Sequence, residues 1–183
     1  VATDRISAFD VILPNPIPDK GRVLTQLSAF WFEKTERLMP NHMVEVVNDV
    51  RLLNSYRSVQ ACFLFPNYLK DRSMIVRKAQ RIDIECVVRG YISGSAWAEY
   101  KKDGTISGTP FPPGLRESER LPEPLFTPTT KAATGHDQPV SMPEMESMVG
   151  EALARELAEK SIAVYEFARQ FAETRGIIIA DTK

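Results

Sequence analysis

The sequence predicts an α+β fold of antiparallel strands with packed helices, and three observations predict it. Side chains alternate at period two through residues 82–89, with Ile82, Ile84, Cys86 and Val88 on one face and Asp83, Glu85, Val87 and Arg89 on the other. A second alternation sets Met74, Val76 and Lys78 against Ile75, Arg77 and Ala79, and the β-branched residues 44–50 supply a partner for an antiparallel pair or meander. Apolar residues at helical spacing then recur over residues 25–39 and 151–175.

Composition narrows the function classes. The chain has 183 residues, 43% of them hydrophobic, which is enough for one large domain or two small lobes. Its 23 Lys+Arg against 24 Asp+Glu leave a net charge of −1, so no global basic field argues for nucleic acid, while a local anion site remains open. No apolar run approaches the roughly 20 residues a bilayer span needs, and no membrane partner is expected. Cys62 and Cys86 stand in apolar contexts and read as free thiols of a reducing compartment. No CxxC pair or His–Cys cluster suggests zinc.

In chain order, residues 3–10 (TDRISAFD) form a dense polar cluster ahead of Val11-Ile12-Leu13, and Pro14, Pro16 and Pro18 then exclude a helix. Lys20-Gly21-Arg22 reads as a turn, and Thr25 as the N-cap of a helix running to about Met39 before Pro40. Leu27, Phe30, Trp31, Lys34 and Leu38 would form its core-facing stripe. One or two helical turns are expected around Trp97-Ala98-Glu99-Tyr100. Residues 121–141 show little periodicity and read as a long loop, of the kind a compact domain keeps for function. Ser141 and Glu144 spell a capping box, Gly150 a break, and Leu153, Leu157, Val164, Ala168 and Phe171 one face of a long scaffold helix stopped at Gly176. Ile177-Ile178-Ile179-Ala180 has no polar alternation, the pattern of a strand buried on both faces.

Two places offer chemistry, each beside a plain structural reading: a sheet strand and ordinary turn with a surface arginine, and an aspartate that caps a helix or turn. In residues 85–95, ECVVRGYISGS, Arg89 closes a strand and is followed by Gly90, Gly94 and Ser95. A guanidinium grips phosphate oxygens two at a time, glycines admit backbone N–H groups to an anion, and a serine adds a hydroxyl. Glu85 shares the face of Arg89 but lies roughly 13 Å away along the strand, too far to satisfy it. The second place is Asp181, a carboxylate leaving an apolar strand, an arrangement that suits Mg²⁺ held against nucleotide phosphates.

The stretch ECVVRGYISGS resembles the signature of the phosphoribosylaminoimidazole-succinocarboxamide synthase (SAICAR synthetase) family. TDRISAFDVI, LPEPLFTPTTKA, GHDQPVS and GIIIADTK match the same family in the same order. Gln138 and Pro139 depart from the commoner form of the fourth motif, an acidic residue followed by asparagine. The resemblance implies a two-lobed fold related to kinase and ATP-grasp folds, with residues 1–78 in the smaller, mainly β lobe and 79–183 in the larger α/β lobe. It also implies that family members continue past both ends, with a glycine-rich nucleotide loop ahead of Val1. The implied activity is ligation of carboxyaminoimidazole ribotide to L-aspartate with ATP and Mg²⁺, in the cytoplasm. The alternative is a catalytically silent module that binds only the ribotide phosphate.

By resemblance, Lys131 and Glu85 are the catalytic candidates. Ser7, Asp10, Arg89, Gly94, Ser95, His136 and Asp137 are substrate-binding, Lys78, Ala79 and Arg81 lie at the nucleotide hinge, and Asp181 holds the metal. The HRD and DFG motifs of a protein kinase are absent from the sequence.

Overall fold

A computed structural model describes residues 1–8, 11–56, 64–131 and 138–182. Asp10, Cys62, His136 and Asp137 lie outside the described residues. The chain divides into two compact units, Val1–Gln80 and Arg81–Lys183. Among the described residues all named strand pairs are antiparallel, and helices pack beside small sheets, an α+β architecture.

In the first unit, β1 (Ser7–Ala8) pairs with β2 (Val11–Ile12). Helix α1 (Lys20–Thr35) follows, then β3 (Met43–Val46), which pairs with β4 (Met74–Val76) as the alternation predicts. Four expectations fail here. The Lys20-Gly21-Arg22 turn is the first turn of α1, and Thr25 is a buried residue inside the helix. The reason is a cap supplied from far along the chain: Asp4 Oδ1 accepts the Gly21 N–H at 2.8 Å and pairs with Arg72 at 3.1 Å. The Gly21 N–H, with Arg72 beside it, holds the Asp4 carboxyl below the usual carboxylate range.

The expected apolar stripe of α1 also fails. Leu27 is 50% exposed, and the buried positions are the small Gly21, Thr25 and Ala29 at four-residue spacing, with Thr35 at the end of the helix. Small side chains on that face let the N-terminal segment come close: a Cβ on Gly21 would stand 2.4 Å from the Ala2 carbonyl oxygen. Finally, the strand expected over 44–50 ends at Val46. Asp49 accepts the Arg51 N–H at 2.9 Å and opens a 3₁₀ helix, Val50–Tyr56.

The second unit opens with β5 (Ile84–Glu85) and β6 (Val88–Tyr91), then α2 (Gly94–Asp103) and a hairpin of β7 (Thr105–Ile106) and β8 (Thr109–Pro110). The long loop expected over 121–141 is partly a ladder. Strand β9 (Arg120–Phe126) pairs with β6, and β10 (Thr129–Thr130) pairs with β5. Prolines at 122 and 124 hid this strand, and their missing N–H groups confine it to a sheet edge. Helices α3 (Met142–Val149) and α4 (Glu151–Glu173) follow, separated by Gly150 at φ 88°. The capping box is formed: Ser141 N and Oγ both donate to Glu144 Oε2, at 2.8 and 2.7 Å.

Strand β11 (Asp181–Thr182) completes a three-stranded sheet of order β11-β6-β9. The core beneath it joins Val88, Phe126, Val140, Met145, Ala154 and Tyr165. The buried face of α4 runs through Ala154, Tyr165, Ala168 and Ala172, so the expected stripe is displaced around the helix and only Ala168 of it is buried. The run 177–180 is not buried on both faces. The run is not a strand: it is the connection from α4 into β11, with Ile177 and Ile178 57% and 68% exposed and Ile179 packed against the core. Cys86 is a free, half-buried thiol that burial pushes up.

Candidate active site

The site grows from the middle strand of the sheet. Val88 is wholly buried against the core, so period-two alternation sends Arg89 to the opposite face. Arg89 stands in register with Leu125 on β9 and with Asp181 on β11. Residues directly opposite in a ladder share a face, which brings the Asp181 carboxylate to the guanidinium. Three groups then hold that guanidinium. Nε donates to Thr127 Oγ1 at 3.1 Å, Nη2 donates to Ser95 Oγ at 3.2 Å, and Nη1 lies 3.6 Å from Asp181 Oδ2. The Arg89 side chain is 13% exposed and Asp181 47%. Arginine is thus the buried anchor and aspartate the member that reaches solvent.

Helix α2 begins beside this cluster. Gly94 takes φ 59°, a left-handed conformation that suits glycine, and the extended Ser93 makes no side-chain capping bond. The positive end of the helix and the Arg89 fork therefore flank one cleft of about 560 Å³, lined also by Glu99, Lys102, Thr129 and Ser141. Gly90 plays a different part from the one its place beside Arg89 suggests. Its N–H donates to the Ala180 carbonyl at 2.9 Å, and a Cβ there would sit 1.8 Å from Tyr165 Oη. Gly90 is a packing glycine and offers no N–H to a ligand.

A second cluster lies on the β5–β10 ladder. Thr129 faces Glu85 in register, and the Glu85 carboxylate receives Lys131 Nζ at 2.9 Å and Thr129 Oγ1 at 3.4 Å. Thr129 also lines the cleft. Glu85 and Arg89 thus have separate partners, as their spacing along the chain predicts.

Of the other expected residues, Ser7, Lys78 and Ala79 belong to the first unit and Arg81 to the second. Ser7 is exposed on β1 of the first unit. Lys78 and Ala79 are exposed after β4, and Arg81, the first residue of the second unit, pairs with Asp83 at 2.7 Å. Two residues with no role assigned from sequence prove central. Thr127, 4% exposed, anchors Arg89 Nε; its place beside an extended segment was visible, its partner 38 residues away was not. Glu99 binds the β7–β8 hairpin to α2. It accepts from Thr105 Oγ1 at 2.8 Å, Ser107 N at 3.0 Å and Gly108 N at 2.9 Å. No local pattern announces those bonds.

For a divalent cation, the described residues offer a limited fit. Among them no three His, Cys, Asp or Glu side chains gather. The cleft itself is lined by Glu99, Asp103 and Glu144, while in the Arg89 cluster Asp181 presents a solvent-reaching carboxylate. That donor set suits Mg²⁺, which commonly takes one or two carboxylates and completes its shell with phosphate oxygens and water.

The SAICAR synthetase family model matches residues 1–183. The phosphoribosylaminoimidazole-succinocarboxamide synthase of Elusimicrobium minutum is 49% identical over 183 residues, covering 100% of this chain and 61% of that protein. A solved SAICAR synthase from Saccharomyces cerevisiae, complexed with SAICAR, matches at TM-score 0.85 and 44% identity over 100% of this chain and 60% of that one. A SAICAR synthetase (Type-2) in complex with ADP shares the fold at TM-score 0.70, with 21% identity over 97% of this chain and 62% of that one. The chain thus spans about three fifths of the relatives it matches. The ordered motifs, the antiparallel α+β fold and these likenesses agree: the chain belongs to the SAICAR synthetase family.

Proposed function

We propose that the protein carrying this chain is an ATP-dependent C–N ligase that joins carboxyaminoimidazole ribotide to L-aspartate, giving SAICAR, ADP and phosphate. The observation that carries this is the Arg89 cluster. A largely buried guanidinium, a serine hydroxyl and an uncapped helix N-terminus converge on one cleft, a receptor for a phosphate monoester. Family membership supports the rest, including the assignment of residues 1–78 and 79–183 to a smaller and a larger lobe.

The chemistry follows from the substrate. A carboxylate is a poor electrophile, so one of its oxygens attacks the γ-phosphorus of ATP and ADP leaves. The aspartate amine then attacks the acyl carbon of the resulting acyl phosphate, inorganic phosphate departs, and the nitrogen sheds its proton. No covalent enzyme nucleophile is required; the protein positions anions and balances their charge. Arg89, Ser95 and the Gly94 end of α2 hold the ribotide 5′-phosphate. Glu85, Ser7 and Asp10 line the imidazole pocket, with His136 and Asp137 near the substrates. Lys131 serves an anionic group of the reactants, and its bond to Glu85 orients the ammonium until they arrive. Lys78, Ala79 and Arg81 border the adenine. Asp181 would hold Mg²⁺, which when bound neutralises charge on the transferring phosphoryl group.

The test is ADP formation by the full-length protein. Turnover is expected only with ATP, Mg²⁺, the carboxylated ribotide and L-aspartate together, apart from slow uncoupled hydrolysis. Equal turnover without aspartate would exclude the ligase. Ribotide binding with no ADP formed under any condition would favour the silent phosphate-binding module.

A further inference from the structure

The residue proposed for the cation, Asp181, and the residue proposed for the phosphate, Arg89, are each other's partner at 3.6 Å. Asp181 is the one charged group among the three that hold the Arg89 guanidinium, the others being the Thr127 and Ser95 hydroxyls. It is also the most open to solvent of the pair, 47% exposed against 13% for Arg89. A phosphate seated on Arg89 therefore sits beside the Asp181 carboxylate, where like charge opposes it. A divalent cation seated on Asp181 sits beside the guanidinium and is opposed in turn. With both ligands present, each cancels the repulsion the other meets.

We propose that the Asp181–Arg89 ion pair couples the two subsites: Asp181 acts as an internal counter-anion on Arg89, and a divalent cation that engages Asp181 releases Arg89 for a phosphate monoester. The inference rests on the reading of Arg89 as the phosphate receptor and adds the sign of its linkage to the metal. Linkage is reciprocal, so the phosphate monoester tightens cation binding by the same factor. At 3.6 Å, and with the carboxylate half open to solvent, this ion pair is worth little, so the coupling is modest, about two- to fivefold.

The experiment is calorimetric titration of the full-length protein with ribose 5-phosphate, with and without Mg²⁺, without ATP or turnover. In the wild type, Mg²⁺ is expected to tighten binding. In Asp181→Asn, binding without Mg²⁺ is expected to be about two- to fivefold tighter than wild type, and the effect of Mg²⁺ to vanish. Asp181→Ser, which removes the charge without leaving an amide, is expected to behave the same way. Wild-type affinity in both variants without Mg²⁺ would overturn the coupling, as would weaker binding, which would make Asp181 a support that holds Arg89 in place. Arg89→Lys separates the two claims. Loss of binding there, with no effect at Asp181, sinks the coupling and leaves the phosphate site standing. Binding indifferent to Arg89→Lys sinks both.

Discussion

Two helix N-termini in this chain are each built with an arginine and an aspartate, and they end in opposite states. At α1 the aspartate enters the helix: Asp4 accepts the Gly21 N–H at 2.8 Å and leans on Arg72 at 3.1 Å. The helix end is closed by the chain's own carboxylate. At α2 the aspartate stays outside. Asp181 meets Arg89 at 3.6 Å, Ser95 turns its hydroxyl to the same arginine, and Ser93 leaves the helix end uncapped. The same residue types make a structural cap where the internal anion fills the N-terminus, and a receptor where it is held beside it.

The sharpest way to break the comparison is to remove the fork from the open end. Arg89→Lys keeps the charge and loses the two-pronged hydrogen bond. A charge-assisted bond is worth about 1.5–3 kcal/mol, so ribotide affinity should fall roughly 10- to 100-fold by calorimetry while ATP affinity holds. An equal fall for ATP would mean that Arg89 serves no dedicated ribotide phosphate.

The closed end should answer to stability instead of binding. A Cβ at Gly21 would meet the Ala2 carbonyl oxygen at 2.4 Å and Asp4 Oδ1 at 3.1 Å. Gly21→Ala should therefore cost about 1–3 kcal/mol in thermal or denaturant unfolding, with ribose 5-phosphate affinity unchanged. Undiminished stability would show that Asp4 can cap the helix from another position.

Ser95→Ala removes one neutral donor from the open end. Phosphate-monoester affinity should drop about fivefold for a hydrogen bond of roughly 1 kcal/mol, and the melting temperature should hold. The reverse pattern, a melting shift without a binding change, would make Ser95 a second cap.

The smallest effect is acid sensitivity of the closed end. The Gly21 N–H keeps the folded Asp4 carboxyl below its ordinary value of 3.8. Its contribution to stability is therefore whole above that pH and lost as pH falls toward the depressed folded value. Wild type and Asp4→Asn should differ in melting temperature at pH 6 and converge below pH 3.8. A gap that persists to pH 2 would assign the stabilisation to something other than the charge.

What the sequence disclosed follows the range of the interactions. The Ser141–Glu144 capping box and the Gly150 break are complete within a few residues and were readable. The β3–β4 pair was readable because alternation is local. The start of α1 was not, because its cap is Asp4, 17 residues before Gly21. The α4 face was misplaced because Leu and Val outweigh Ala in a hydropathy stripe, whereas the sheet needed small Ala154, Ala168 and Ala172 around one Tyr165. In the Arg89 cluster, Arg89 and Asp181 were each visible as strand-end charges. Their pairing depends on the β11–β6 register, and Thr127 and Glu99 act on partners their own neighbourhoods do not reveal.

The contact between Gly90 and Tyr165 carries a consequence for how this sequence can change. Tyr165 is wholly buried, donates to the Ile179 carbonyl at 2.9 Å, and occupies the space a side chain at position 90 would need. The two positions are therefore bound by sign epistasis. A larger residue at 90 clashes while Tyr165 stands, and a smaller residue at 165 first opens a cavity and drops the hydrogen bond, costing about 3–5 kcal/mol for so large a truncation. Either first step is deleterious and only the pair is viable. A drifting lineage should cross that valley rarely.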